Sequence, residues 1–145
     1  MAHPTMFSDG DPYLWRVRAI CLRFPEAEEF VSHGRPSFRT RKIFLTYGGG
    51  TKGAAGERIR FDHSIIIMPD DEERPALEED ERYYAPAYLA PYGWIALDLA
   101  HAGTRAEDVD WTEVHELVDS SYRRLAPRSL VQQLDVEGLR PPPPG

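Results

Sequence analysis

Residues 37–68 hold three strand-forming stretches with no helix-length segment between them. SFRTR (37–41) and KIFLTY (42–47) abut, so only a tight hairpin turning near Arg41 can separate them. The glycine-rich loop GGGTKGAAGE (48–57) then leads into RIRFDHSIIIM (58–68). In that stretch Ile59, Phe61, His63, Ile65 and Ile67 alternate and are expected on one face. Strands grouped in this way form an antiparallel sheet, and an apolar face on such a sheet needs a cover.

Helices at both ends supply it. Asp11 is placed to cap a first helix with Pro12 in its opening turn, and Leu14, Trp15, Val17, Cys21 and Leu22 make an apolar side that Pro25 ends. EAEEFVSHGRP (26–36) reads as an irregular connection. A short acidic helix is expected within 70–81, provided Pro75 falls in its first turn. WIALDLA (94–100) is a further strand with Ile95, Leu97 and Leu99 inward. The late helix is the best marked. Asp110 and Glu113 form a capping signature, Trp111, Val114, Val118, Tyr122 and Leu125 follow at helical spacing, and Pro127 ends it before a short terminal helix, PRSLVQQL. The expected fold is therefore α+β and two-layered, an antiparallel sheet with helices on one face in the order helix, three strands, helix, one or two strands, helix. Residues 1–10 read as a flexible N-terminus, 11–134 as one domain, and 135–145 as an extended proline-rich tail.

Charge narrows the function classes. The chain is 145 residues long with a net charge of −7, which argues against strong non-specific nucleic-acid binding. The charge is nevertheless segregated. Residues 32–60 carry seven bases against Glu57, a net of +6, and residues 69–82 carry eight acids against Arg74 and Arg82, a net of −6. MAHPTMFSDGD has neither a basic start nor an apolar stretch, and the longest aliphatic run is IIIM (65–68), so the expectation is a cytoplasmic protein with no membrane association. Cys21 is alone, which leaves no intrachain disulfide and no cysteine cluster. No two of the five histidines lie three or four residues apart, so neither a metal site nor a cofactor is expected.

Three blocks, FPEAEEFVSHGRPSFRTRKIFLTY, YYAPAYLAPYGWIALDL and VDWTEVHELVDSSYRRLAPRSL, resemble in order and spacing the MmcQ/YjbR family of small bacterial proteins over about residues 11–134. The resemblance implies a compact α+β fold of helix, three strands, helix, two strands, helix. Members are commonly described as DNA-binding, by analogy of shape to winged domains, and the family brings no catalytic residue set. The chain departs where members usually carry a glycine in the first hairpin turn, reading RTRK instead.

Candidate sites follow from the sheet. If helices cover the face carrying Phe38, Ile43, Leu45, Phe61 and Leu97, alternation sends Arg39, Arg41, Phe44, Arg60 and Trp94 to the uncovered face. Arginines around one or two aromatics make a surface on which unpaired bases stack. On this reading Arg35, Arg39, Arg41, Lys42, Lys52, Arg58 and Arg60 contact phosphates, and Phe44 or Trp94 is a stacking platform. Asp62 and Asp98 share that face and oppose the assignment; the bland alternative is a solvated basic face. GGGTKG has the glycine spacing of a phosphate-binding loop at Gly48 and Gly53, but Ala54 follows and a strand comes next, so it reads as a hairpin tip carrying Lys52. His33 is read as fixing a turn, and His63 as a hydrogen-bonded core histidine. A pocket between SHGRP and the tyrosine segment would be lined by His33, Tyr88 and Tyr92. DHS (62–64) cannot be a catalytic triad, because alternate strand residues face opposite ways.

The expected function is a non-enzymatic binding module. DNA or single-stranded nucleic acid leads as ligand; an acidic protein, including the 69–82 helix of a second copy, and a small molecule stand as alternatives.

Overall fold

The computed structural model describes residues 4–53 and 56–142. Helix α1 (Pro12–Cys21) opens at its cap: Asp11 Oδ1 accepts from the Tyr13 and Leu14 N–H groups at 2.9 and 3.4 Å, and Pro12 fills the first turn. Leu14, Val17 and Cys21 are buried. Trp15, expected beside them, is instead 58% exposed. It lies about 100° around the helix from Leu14, and its indole N–H donates to the Asp9 carbonyl at 2.8 Å.

The stretch expected to be irregular is a strand. β1 (Glu28–Ser32) pairs antiparallel with β2 (Arg35–Arg39) through a two-residue turn at His33 and Gly34, whose φ angles are +53° and +79°. Two positive φ values define the turn that matches strand twist, and His33 adopts one of them although it carries a side chain. The acids Glu28 and Glu29 disguise the strand in sequence, yet suit it, because β1 is a sheet edge where charge blocks further pairing.

β3 (Ile43–Lys52) and β4 (Arg58–Ile67) follow, then α2 (Arg74–Glu79) with Pro75 in its first turn, β5 (Tyr83–Tyr84) and β6 (Ile95–Asp98). Helices α3 (Trp111–Leu125) and α4 (Arg128–Glu137) complete the chain. Asp110 Oδ1 caps α3 by accepting from the Thr112 and Glu113 N–H groups, each at 3.1 Å. The six strands form one antiparallel sheet in the order β1-β2-β3-β4-β6-β5. The fold is α+β, with one more strand before α2 than the sequence reading placed there.

Val17 and Cys21 of α1, Val118 and Tyr122 of α3, and Leu130 and Leu134 of α4 join Phe38, Leu45, Tyr47, Ile65, Ile67 and Leu97 in one core, so the helices lie on one face. Ser121 locks α3 to the sheet: its hydroxyl donates to the Phe44 carbonyl at 2.6 Å and accepts from the Met68 N–H at 3.0 Å.

Two breaks in register decide the other face. Phe38 pairs with Leu45 and Arg39 with Ile43, so Phe44 is an extra, bulged residue. It is fully buried, with its ring centroid 5.3 Å from that of Tyr122. The expectation that Phe44 is a stacking platform is thereby corrected, because the bulge interrupts the alternation on which it rested. Further along, Tyr47 pairs with Ile65 and Gly49 with Phe61, leaving Gly48 alone opposite residues 62–64. Beyond this break Phe61 leaves the core and packs on Tyr84 at 4.6 Å, and Ile59 is 47% exposed. The uninterrupted alternation expected for 59–67 is also corrected.

Both terminal segments contact the domain over their described residues. The Met6 N–H donates to the Gly34 carbonyl at 2.8 Å, which ties residues 4–8 to the first hairpin. α4 continues to Glu137, past the expected boundary at 135, and Arg140 Nη2 then donates to the Leu22 and Ala27 carbonyls at 2.7 and 3.0 Å.

Candidate ligand groove on the open sheet face

The face turned away from the helices is a groove rather than a flat surface. Its floor comes from β3, β4 and the residue before β6, with Ile43, Thr46, Gly49, Ile66 and Trp94 contributing, and its volume is about 910 Å³. Pro4 and Met6 border it on the side of the first hairpin; Pro86, Tyr88 and Leu89 border the other. Glycine matters here at one place especially. A Cβ on Gly49 would lie 2.8 Å from the Tyr84 hydroxyl and 3.0 Å from Ile66 Cδ1, so its absence keeps the floor open.

The ionisable lining consists of Arg35, Arg58, Arg60, His33 and Tyr88, with no carboxylate among the lining residues. In a chain of net charge −7 this concentration is a local reversal of sign. Arg60 and Arg35 share a neighbouring acid, Asp62, at 3.0 and 3.7 Å. Two guanidiniums against one carboxylate leave positive charge in excess. The Arg35 side chain is only 15% exposed, and its Nη1 is buried with Asp62, 3.7 Å away, as its ion-pair partner among the described residues. Burial pulls the Arg35 pKa below its ordinary value, partly opposed by Asp62.

Tyr88 stands at the mouth with φ at +68°, a costly conformation for an aromatic residue. Lys52 Nζ lies 4.4 Å from its ring centroid, and Arg58 Nη2 donates to its hydroxyl at 3.1 Å. These cations, led by the hydrogen bond from Lys52, lower the phenol's pKa. Two bases and a tyrosine thus make one rim.

The sequence-derived residues divide accordingly. Arg35, Arg58, Arg60, His33, Tyr88 and Trp94 meet in the groove, and Lys52 joins through Tyr88. Arg39, Arg41 and Lys42 do not line it. Arg39 is bound to Glu28 at 2.9 Å and lies over the Phe30 ring, while Arg41 borders a separate polar depression of about 300 Å³ with Glu26, Glu28 and Ser129. Tyr92 is 77% exposed and lies outside the groove, which corrects its assignment to a pocket with His33. Sequence reasoning missed the glycine floor and the Pro4 and Met6 border. The signal for the first was a strand bearing three consecutive glycines, 48–50; the second had none.

The three residues of DHS diverge. Asp62 faces the arginines, Ser64 bonds the Tyr84 hydroxyl at 2.6 Å, and His63 turns toward α1. There its Nδ1 lies 2.9 Å from Asp11 Oδ2, which also accepts from the Tyr47 hydroxyl at 2.5 Å, and its ring stacks on Tyr13 at 4.5 Å. His63 is thus hydrogen-bonded, with its side chain 42% exposed. Among the described residues no group of three His, Cys, Asp or Glu side chains is placed to hold a metal ion. No helix among them is long and apolar enough to cross a membrane.

Comparison with known proteins agrees with the architecture. A crystal structure of a Deinococcus radiodurans protein with a DUF419 domain superposes with a TM-score of 0.57 over 88% of this chain and 92% of that one, at 16% identity. That likeness concerns the fold. No curated protein matches the sequence. The YjbR family model matches residues 22–124, from the end of α1 through most of α3. The chain belongs to the YjbR family.

Proposed function

We propose that this protein is a non-enzymatic binding module that takes single-stranded nucleic acid in the groove on its open sheet face. One observation carries the reading: an apolar-floored groove in an acidic protein whose charged lining is arginine without a carboxylate. Lys52, Arg58 and Arg60 would meet backbone phosphates, and Tyr88 and Trp94 would offer faces to unpaired bases. A concave, aromatic-edged site favours splayed bases over a duplex, whose phosphates lie on a convex surface. The basic residues of the 39–42 turn are left out of the contact, since Arg39 is already neutralised by Glu28.

Fluorescence anisotropy with labelled single- and double-stranded DNA tests this. Three phosphate contacts on a single strand give a salt slope of about −2, so affinity should fall about 20-fold between about 50 and about 200 mM salt. Arg58→Glu/Arg60→Glu should abolish binding, and Arg39→Glu/Arg41→Glu should leave most of it. Loss only in the second variant returns the contact to the hairpin. No binding at the lower salt removes nucleic acid as the ligand; salt-dependent self-association under those conditions would then favour the basic face meeting the acidic 69–82 segment of a second copy.

A further inference from the structure

We infer that the groove is polarised along its length and takes a single strand end first, with an unphosphorylated terminal nucleoside at Trp94 and the phosphates that follow leading out over Arg60 and Arg58 toward Lys52. This rests on the groove being the nucleic-acid site. The axis of the groove follows β4, because its lining pairs along that strand: Thr46 stands opposite Ile66, Gly50 opposite Arg60, and Lys52 opposite Arg58. At strand rise, the level of Ile66 lies about 20 Å from that of Arg60.

The two ends differ in chemistry. At one, the accessible groups are cations. Arg58 and Lys52 are exposed and opposite one another, and among the described residues neither is ion-paired with a carboxylate. Arg60 shares Asp62 yet keeps 53% of its side chain exposed. Like charges directly opposite destabilise a ladder, and an anion laid between them relieves that repulsion. At the other end the half-buried lining is Ile43, Thr46 and Trp94. The arginines nearby are engaged: Arg39 is held by Glu28, and Arg74 donates to the Gly93 carbonyl.

Beyond Trp94 the charge reverses. Trp94 directly precedes β6, whose Ile95 pairs with Ile67, the last residue of β4. The chain leaving β4 runs through Asp70, Asp71, Glu72 and Glu73, all exposed, and the bond from Arg74 to Gly93 keeps that stretch beside the Trp94 end. Asp71 is paired with Arg124, whereas Glu72 and Glu73 have no ion pair among the described residues. The basic and acidic segments of the sequence thus meet β4 at its opposite ends. A strand running through the groove would carry phosphates past Trp94 toward those acids, where like charge repels them. A strand that ends there brings none: its terminal nucleoside is uncharged and stacks on the indole, while the following phosphates are drawn toward Arg60 and Arg58.

Fluorescence anisotropy tests this with one internally labelled oligothymidylate, prepared as an open strand, as a covalently closed circle, and as open strands with a phosphate on the 5′ or the 3′ end. The open strand should bind about tenfold tighter than the circle. A phosphate on one end, the entering one, should weaken binding. Trp94→Ala should bring the open strand down to the circle and Trp94→Phe should keep most of the difference, with thermal melting to confirm folding. Glu72→Lys/Glu73→Lys should raise the affinity of the circle. A circle bound as tightly as the open strand, a difference that survives Trp94→Ala, indifference to a phosphate on either end, or a circle unaffected by the charge reversal overturns end-first entry and leaves the groove reading standing. Binding of neither open strand nor circle overturns both.

Discussion

Replacing Asp11 by alanine should destabilise the protein by more than a helix cap is worth, and the excess should vanish when Tyr47 is also changed. Asp11 is 9% exposed and uses both oxygens. Oδ1 caps α1 through Tyr13 and Leu14; Oδ2 accepts from the Tyr47 hydroxyl and lies beside His63 Nδ1. Losing the cap costs about 1 kcal/mol. Leaving the buried Tyr47 hydroxyl without its acceptor costs about 1–3 kcal/mol more. His63 Nδ1 lies 3.1 Å from that hydroxyl and can accept from it in one tautomer, which moves the second figure toward its lower end. Asp11→Ala should therefore cost about 2–3 kcal/mol, Asp11→Ala in a Tyr47→Phe background about 1 kcal/mol, and the coupling should be about 1–2 kcal/mol. Urea unfolding of the four proteins, followed by far-UV circular dichroism, gives the cycle. A coupling below about 0.5 kcal/mol would show that the two contacts of Asp11 are energetically independent, refuting the idea that it clasps α1 to the sheet.

Ser121→Ala should cost about 2 kcal/mol in the same assay, because it strands the Met68 N–H and removes a donor from the Phe44 carbonyl inside the core; Ser121→Cys should recover little, since a thiol is a weak donor. Cys21 is fully buried and its thiol pKa is pushed well up by that burial, so a thiol reagent should modify native protein only as fast as the chain opens and unfolded protein at once. Burial pushes the Tyr84 and Tyr122 phenols up to about 12, whereas the cations around Tyr88 lower its pKa. Absorbance titration should show Tyr88 ionising before Tyr84 and Tyr122, and Tyr88→Phe should remove that earlier step. A folded-state pKa raised above the unfolded value of about 10 means that Tyr84 and Tyr122 contribute stability fully below about pH 10 and lose it as pH climbs toward 12. Unfolding midpoints measured across that interval should fall.

The outline of the fold was legible because it rests on local chemistry. Asp11 with Pro12, and Asp110 with Glu113, mark helix starts through groups that satisfy the first N–H donors of their own helix, and the leucine and valine spacing of α3 needs only one face to be apolar. β1 escaped because Glu28 and Glu29 look like loop residues until the strand is known to be an edge, a fact that belongs to the assembled sheet.

The candidate site was legible only in its residue types. Its basic residues were evident, but which of them converge depends on two register breaks. The bulge at Phe44 buries a ring that alternation sends outward, and the irregularity opposite Gly48 takes Phe61 and Ile59 out of the core. A one-residue change in pairing flips every later side chain, and that pairing is settled by packing across the sheet rather than by either strand alone. The sequence by itself determined where the capped helices α1 and α3 begin and that one basic segment opposes an acidic chain. Only the tertiary structure decided that Arg35 lines the groove, largely buried, while Arg39 is bound to Glu28 outside it, because burial and ion pairing are set by neighbours that folding brings from elsewhere in the chain.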